Sequence, residues 1–210
     1  MDVNSFGPLL LSPTAVDADG VCASQSPGAG AILINGAFAT GGVATITLLG
    51  AQLVRLTSGG NDAGITFTFT GTDSNGRSQS ETVAGTNAGN STTTKYFKTI
   101  TGITHTGSVA TTIIVGNLID SVSNTINPNL DTSPIAIGIG VTLTSGTVTY
   151  KVQHSYQDGR TSHPSLWFDN SAGAKSASSE ATYSSPVACI RLLVSASSSA
   201  VLTASVVQGG

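Results

Sequence analysis

The sequence predicts an all-β fold, built from antiparallel β-sandwich modules of the immunoglobulin-like or jelly-roll-like kind, and three observations carry that expectation. Apolar residues recur with a period of two in one run after another, as half-buried strands require. Gly, Asn, Asp and Ser separate the runs, which is turn chemistry. No stretch of useful length holds a 3.6-residue period, and the single helical-looking turn, Leu118 to Val122, is too short to form against a β background.

The alternation is clearest at 64–85, where Ile65, Phe67 and Phe69 share one parity and Thr66, Thr68 and Thr70 the other. The connection Asp73-Ser74-Asn75-Gly76 supplies the positive φ of a tight hairpin turn. Its oxygens faintly resemble a calcium loop, but the further acidic position and terminal Glu of such a loop are missing, so a plain turn is expected. Shorter strands are expected at 31–38, 43–50 and 52–56, followed by strands within TKYFKTITGITHTGSV and TTIIVGNLI.

The second half is organised around Pro134 to Gly159. Ile135, Ile137, Ile139, Val141 and Leu143 lie on one parity, and after Ser145-Gly146 the parity switches to Val148, Tyr150, Val152, His154 and Tyr156. Two strands joined by a turn are the simplest reading. The intervening row Thr147, Thr149, Lys151, Gln153 and Ser155 suits a solvated or partner-facing side and is a candidate docking face. Two further strands are expected in PVACIRLLVSA and AVLTASVVQG.

Residues 1–30 mix Pro8, Pro13 and Pro27 with several glycines and read as an extended N-terminal arm. The linker-like SNTINPNLDTS at 123–133 places a boundary, giving a first module over 31–124 and a second over 125–210. A single sandwich spanning both halves is the alternative.

Composition narrows the function. Only 9% of the 210 residues are charged and the net charge is −3, so no basic face exists for direct nucleic-acid binding. With 39% hydrophobic residues and a mean hydropathy of +0.21, a core is available. A near-neutral surface of Ser, Thr, Asn and Gly repels its own copies weakly and suits assembly. The N-terminus has no basic region and its apolar run is only Leu9 to Leu11, so neither a secretory signal nor a membrane contact is expected. Cys22 and Cys189 have no framework spacing and read as two reduced thiols.

No catalytic, cofactor or metal constellation is found. His105, His154 and His163 share no metal-ligand spacing, and His154 reads as a core or interface histidine. Ser155, His154 and Asp158 form a triad only on paper, because no nucleophile elbow surrounds any serine. The eleven acidic residues show no paired-carboxylate motif. Asn90-Ser91-Thr92 is a formal glycosylation sequon without a secretory context. The pair Trp167 and Phe168 in HPSLWFDN is read as a plug at the end of a sandwich, or else as an anchor for another chain.

Two segments add a resemblance. GTDSNGRSQSETVAGTNAG followed by TTKYFKTITGIT, through Gly71 to Asp73, Gly76, Gln79, Glu81 to Val83, Gly85, Asn87 to Gly89 and Lys95 to Thr99, resembles a module of tailed-bacteriophage virion proteins. VTYKVQHSYQD, LWFDN, SPVACIRLLVSA and AVLTASVVQGG resemble the C-terminal module of the same small phage structural proteins, and the two segments together span about two thirds of the chain. Cys189 stands where that pattern has a residue such as Ala or Thr, and Asp169-Asn170 replaces its Asn-His.

The resemblance implies a non-enzymatic virion component, assembled in the host bacterial cytoplasm. The expected role is a capsid decoration or cement protein contacting the major capsid protein or other virion proteins, as a homo-oligomer such as a trimer. A neck or tail accessory protein, or a carbohydrate-binding host-attachment module, are the alternatives.

Overall fold

The computed structural model describes residues 3–131, 135–161 and 163–209. Among them there is no helix, and strands make up more than half of the chain. In chain order the strands are β1 (Val3–Leu11), β2 (Cys22–Gln25), β3 (Gly30–Ala31), β4 (Ala39–Thr40), β5 (Val43–Thr45), β6 (Ala51–Ser58), β7 (Thr66–Thr72) and β8 (Ser78–Ala84). They continue with β9 (Asn90–Thr92), β10 (Thr99–His105), β11 (Ile113–Val122), β12 (Ala136–Ser155), β13 (Phe168–Asp169), β14 (Ser179–Tyr183) and β15 (Cys189–Gly209). The chain divides into two compact units, Thr14–Ser121 and Met1–Pro13 with Val122–Gly210.

In the Thr14–Ser121 unit, β11 lies between β2 and β6, with β9 beyond β6. A second sheet runs β4-β5-β10-β7-β8, with β3 also on β10. Val54, Leu56, Ile113 and Val115 from the first sheet and Phe67, Phe69, Ile100 and Ile103 from the second share one core, the arrangement of a sandwich. The expected hairpin is present: β7 and β8 pair from Thr66↔Ala84 to Thr72↔Ser78. Gly76 takes a φ of 80° in its turn. The Asp73 carboxylate accepts from the Asn75 and Arg77 backbone N–H groups at 2.9 and 2.8 Å and pairs with the Arg77 guanidinium. Its oxygens thus serve the turn itself.

Residues 31–38 differ from the expected strand. Beyond Ala31 the segment is irregular, although Ile32 and Ile34 are buried. The Gln25 side chain stands in for a neighbouring strand, accepting from Leu33 N–H at 3.0 Å and donating to the Leu33 carbonyl at 2.9 Å. Two buried amides fix residues 14–17 in the same way. Gln52 accepts from Thr14 N–H and donates to the carbonyls of Thr14 and Leu118. Asn117 accepts from Asp17 N–H and donates to the carbonyls of Thr14 and Ala15. These main-chain groups are satisfied without a ladder.

The other unit corrects three expectations. Pro134 lies outside the described residues, as do Thr132 and Ser133, but Ala136–Ser155 of the anticipated hairpin is one continuous strand, β12. Likewise the last two predicted strands are one, β15. The two pair antiparallel from Ala136↔Gly209 to Ser155↔Cys189, with register shifts between Leu143 and Thr147 and again between Thr149 and Tyr150. The irregularity explains the parity switch: extra residues in a strand move every later side chain to the other face, as a turn would. Gly146 (φ 73°) sits opposite Ser199 (φ 50°). A Cβ at Gly146 would lie 2.3 Å from the Ser198 carbonyl oxygen, so the close approach requires glycine.

The bend creates this unit's core. Ile137, Ile139 and Val141 before it, Val148, Tyr150 and Val152 after it, and Ile190, Leu192, Leu202 and Val206 of β15 form one buried cluster. The first half of β12 also pairs with β14, Ile137↔Tyr183 to Val141↔Ser179. The second half pairs with β13, Gln153↔Asp169 and His154↔Phe168. The Tyr150 hydroxyl donates to the Ala177 carbonyl at 2.9 Å and lies 2.7 Å from the Ser179 hydroxyl.

The third correction is the arm. Residues 3–11 form β1, paired antiparallel with β15 from Val3↔Gly209 to Leu11↔Leu202, with Leu9 and Leu11 fully buried. A shift between Phe6 and Leu9 accommodates Gly7-Pro8, where proline cannot donate to a ladder. That shift hides the period of two from the sequence.

Candidate binding surface

The short strand β13 organises the most distinctive surface of the Val122–Gly210 unit, because its two residues face opposite ways. Asp169, Gln153 and Arg191 occupy one cross-strand row in register. Gln153 donates to Asp169 Oδ1 at 2.9 Å and accepts from Arg191 Nε at 3.0 Å. Lys151 Nζ reaches Asp169 Oδ2 at 2.5 Å. The Arg191 guanidinium lies 3.9 Å above the Trp167 ring, within cation–π range, while the indole N–H donates to the Pro164 carbonyl at 3.0 Å. The Lys151 hydrogen bond, joined by that from Gln153, holds the Asp169 carboxyl below its usual range.

This row decides what becomes of the predicted docking face. Thr147 is exposed, Thr149 and Lys151 are half-buried, but Gln153 is 7% exposed and Ser155 fully buried. Asp169 and Arg191 engage the Gln153 amide, and the Ser155 hydroxyl accepts from Gln157 N–H at 3.1 Å. The Thr147 to Ser155 row is therefore not a continuous solvent face. Trp167 is half-buried on Arg191 and lies outside the buried core cluster, so it covers the sheet's outer side and does not plug the sandwich.

On the other side of β13, Phe168 stacks on His154 with ring centroids 5.7 Å apart. His154 is edge-on to Tyr183 at 5.0 Å and to Tyr156 at 5.3 Å. Tyr156 and Phe168 close the cluster at 5.7 Å, inclined by 57°. Tyr156 is 62% exposed, Phe168 40%, and Leu166, two residues upstream, 55%. Burial holds the His154 imidazole below its usual range and pushes the Tyr183 phenol up to about 12. Both stay uncharged at neutral pH. The alternation at His154 and Tyr156 continues the inward parity of Val152, and only their position past the last core residue could have marked them as surface aromatics.

A second surface lies on the Thr14–Ser121 unit. Thr104, Thr68 and Thr82 stand side by side across β10, β7 and β8, with Thr70 beside Ser80 and Thr99 beside Thr72 and Ser78. The hydroxyls of Thr68 and Thr82 lie 3.2 Å apart and those of Thr72 and Thr99 2.7 Å apart. This face is hydroxyl-covered and carries no charge along those rows.

No protein-family model matches the sequence, and no curated protein matches it. Among solved structures the chain is similar to the PBSX exported protein XepA, at 8% identity and a TM-score of 0.27, over 99% of this chain and 86% of that one. It is also similar to the stem and receptor-binding domain of the spike protein P1 from bacteriophage PM2, at 10% identity and a TM-score of 0.21, over 99% of this chain and 96% of that one. Both neighbours are phage proteins, and at such TM-scores neither likeness carries an argument.

Among the described residues no group of three His, Cys, Asp or Glu side chains could hold a metal ion. No helix there is long and apolar enough to cross a membrane. Cys22 and Cys189 are free and buried, and burial pushes both thiols up to about 11.

Proposed function

We propose that the protein is a non-enzymatic structural component of a phage virion, acting as a decoration or cement protein on the head shell. The observation that carries this reading is the uncharged hydroxyl face of β10, β7 and β8, in a chain with only 9% charged residues. Such a face binds through many weak hydrogen-bonding and apolar contacts, and repetition around a shell multiplies them by effective concentration. The resemblance of residues 71–99 and of the C-terminal segments to phage virion modules supports the same class. In this reading the partners are the major capsid protein or a neighbouring virion protein, and the chain itself assembles as a homo-oligomer such as a trimer.

Cryo-electron microscopy of purified particles tests the role. Copies on the head shell in the hundreds support decoration. A ring of about six or twelve copies at the neck or tail moves the chain to the accessory class, and particles that lack the chain overturn the reading.

A further inference from the structure

We infer that Lys95 and Ser91 guard the outer edge of β8 and keep it from pairing with β8 of a second copy of the chain. The inference concerns this edge alone and is independent of where the protein sits in a particle.

β8 ends its sheet, paired with β7. At the two ends of that hairpin Asp73 N–H donates to the Arg77 carbonyl at 2.9 Å and Gly85 N–H to the Ile65 carbonyl at 2.8 Å. Hydrogen-bonded and non-hydrogen-bonded pairs alternate along an antiparallel ladder. With the register running from Thr66↔Ala84 to Thr72↔Ser78, Ser78, Ser80, Thr82 and Ala84 therefore turn their backbone N–H and C=O groups away from β7. Such a row is a template for a further strand. Its side chains are small and carry no charge to repel a copy. An antiparallel edge is also complementary to itself about a two-fold axis, so a second copy is the partner it fits.

Two of the outward carbonyls are occupied from within the chain. Ser91 Oγ donates to the Ala84 carbonyl, and Lys95 Nζ donates to the Ser80 carbonyl at 2.7 Å. The lysine is aimed by β8 itself. The Glu81 carboxylate accepts from Thr94 N–H, the Thr94 hydroxyl and Lys95 N–H, each at 2.8 Å, and Gln79 Nε2 donates to the Tyr96 carbonyl at 2.6 Å. Thr93 N–H bonds to the Val54 carbonyl and Phe97 N–H to that of Gln52, so both ends of the segment are anchored and the ammonium is directed back over the edge.

With Ser91 on Ala84, the stretch left for pairing is 78–82, centred on Ser80. Two copies joined antiparallel there would bring their Lys95 ammonium groups together at the axis, or strip both from the Ser80 carbonyls. Like charges set against each other across an interface are costly, and a charge-assisted hydrogen bond is one of the stronger ones to lose.

Sedimentation velocity of the full chain tests the guard. Lys95→Ala should self-associate about tenfold more tightly than the wild type or better, because a hydrogen bond to a charged group is worth at least that factor. Lys95→Arg, which keeps the charge and the donors, should sediment like the wild type. Lys95 is exposed, so neither change should move the circular-dichroism melt. Amide hydrogen exchange locates the contact: Ser80 and Thr82 should gain protection in associated Lys95→Ala. Wild-type sedimentation of Lys95→Ala overturns the inference. So does association that leaves those two amides exchanging as in the wild type, which would place the contact elsewhere.

Discussion

Replacing Gly146 by Ala should destabilise the Val122–Gly210 unit by about 3 kcal/mol. The bent β12–β15 ladder forms that unit's core, and the bend passes through Gly146 at a φ of 73°. An L-residue in the left-handed region costs about 1 kcal/mol. The new Cβ would also lie 2.3 Å from the Ser198 carbonyl oxygen and 2.7 Å from the Ser199 carbonyl carbon and oxygen. All three atoms are backbone, so relief requires moving β15, at a further cost of about 2 kcal/mol. Gly138 on the same strand supplies the control, because a Cβ there meets nothing within 4 Å. Gly138→Ala should stabilise by about 0.5 kcal/mol, through the unfolded chain's lost freedom. The protein has one tryptophan, Trp167, so its fluorescence during urea unfolding reports this unit specifically. With an m-value of about 2 kcal/mol per molar, Gly146→Ala should lower the midpoint by about 1.5 M. A midpoint within about 0.3 M of the wild type, or an equal loss in Gly138→Ala, would refute the glycine-dependent bend.

Two solution properties follow from the buried and paired groups. Cys22 and Cys189, buried with thiols near 11, should resist Ellman's reagent in the native protein and both react in denaturant; rapid native reaction would contradict their burial. Stability should fall on acidification in two stages. The unfolded chain takes up a proton at His154 from about pH 6.5 downward while the native imidazole, held lower by burial, does not, so the loss begins there. Asp169, held low chiefly by its Lys151 hydrogen bond, contributes stability that is present above about pH 3.9 and lost as pH falls through its folded value. His154→Gln should flatten the upper stage alone and Asp169→Asn the lower alone, in denaturation curves recorded between about pH 3 and 8.

The fold class was legible because alternation and turn chemistry are local. Phe67, Phe69 and the Asp73 to Gly76 turn fell where their spacing placed them. Continuity was not legible. A bulge at Gly146 and a hairpin turn at Ser145-Gly146 produce the same parity switch, and only the pairing partner separates them. The same ambiguity turned β1 into an apparent arm, since Gly7-Pro8 interrupts a period that β15 completes from the far end of the chain. The 31–38 segment reads as strand because its apolar residues alternate, yet Leu33 bonds to the Gln25 side chain while the Ile32 and Gly36 N–H groups donate to the Ile103 and Val21 carbonyls.

At the surface, Trp167 and Phe168 stood out by composition, but their division between an Arg191 stack and the His154 cluster depends on β13 pairing. The polar row at Thr147 to Ser155 reads as a solvated or partner-facing side because alternation gives the face of a strand and not what covers it. Asp169 and Arg191 cover its far end. Tyr156 has only its position past the last core residue to mark it, because its parity matches the core.

The central claim, a structural place in a phage particle, is tested most directly by cryo-electron microscopy of purified virions combined with counting of this chain by quantitative mass spectrometry. The account predicts density for both units on the head shell, in hundreds of copies. Intact particles without the chain would contradict it.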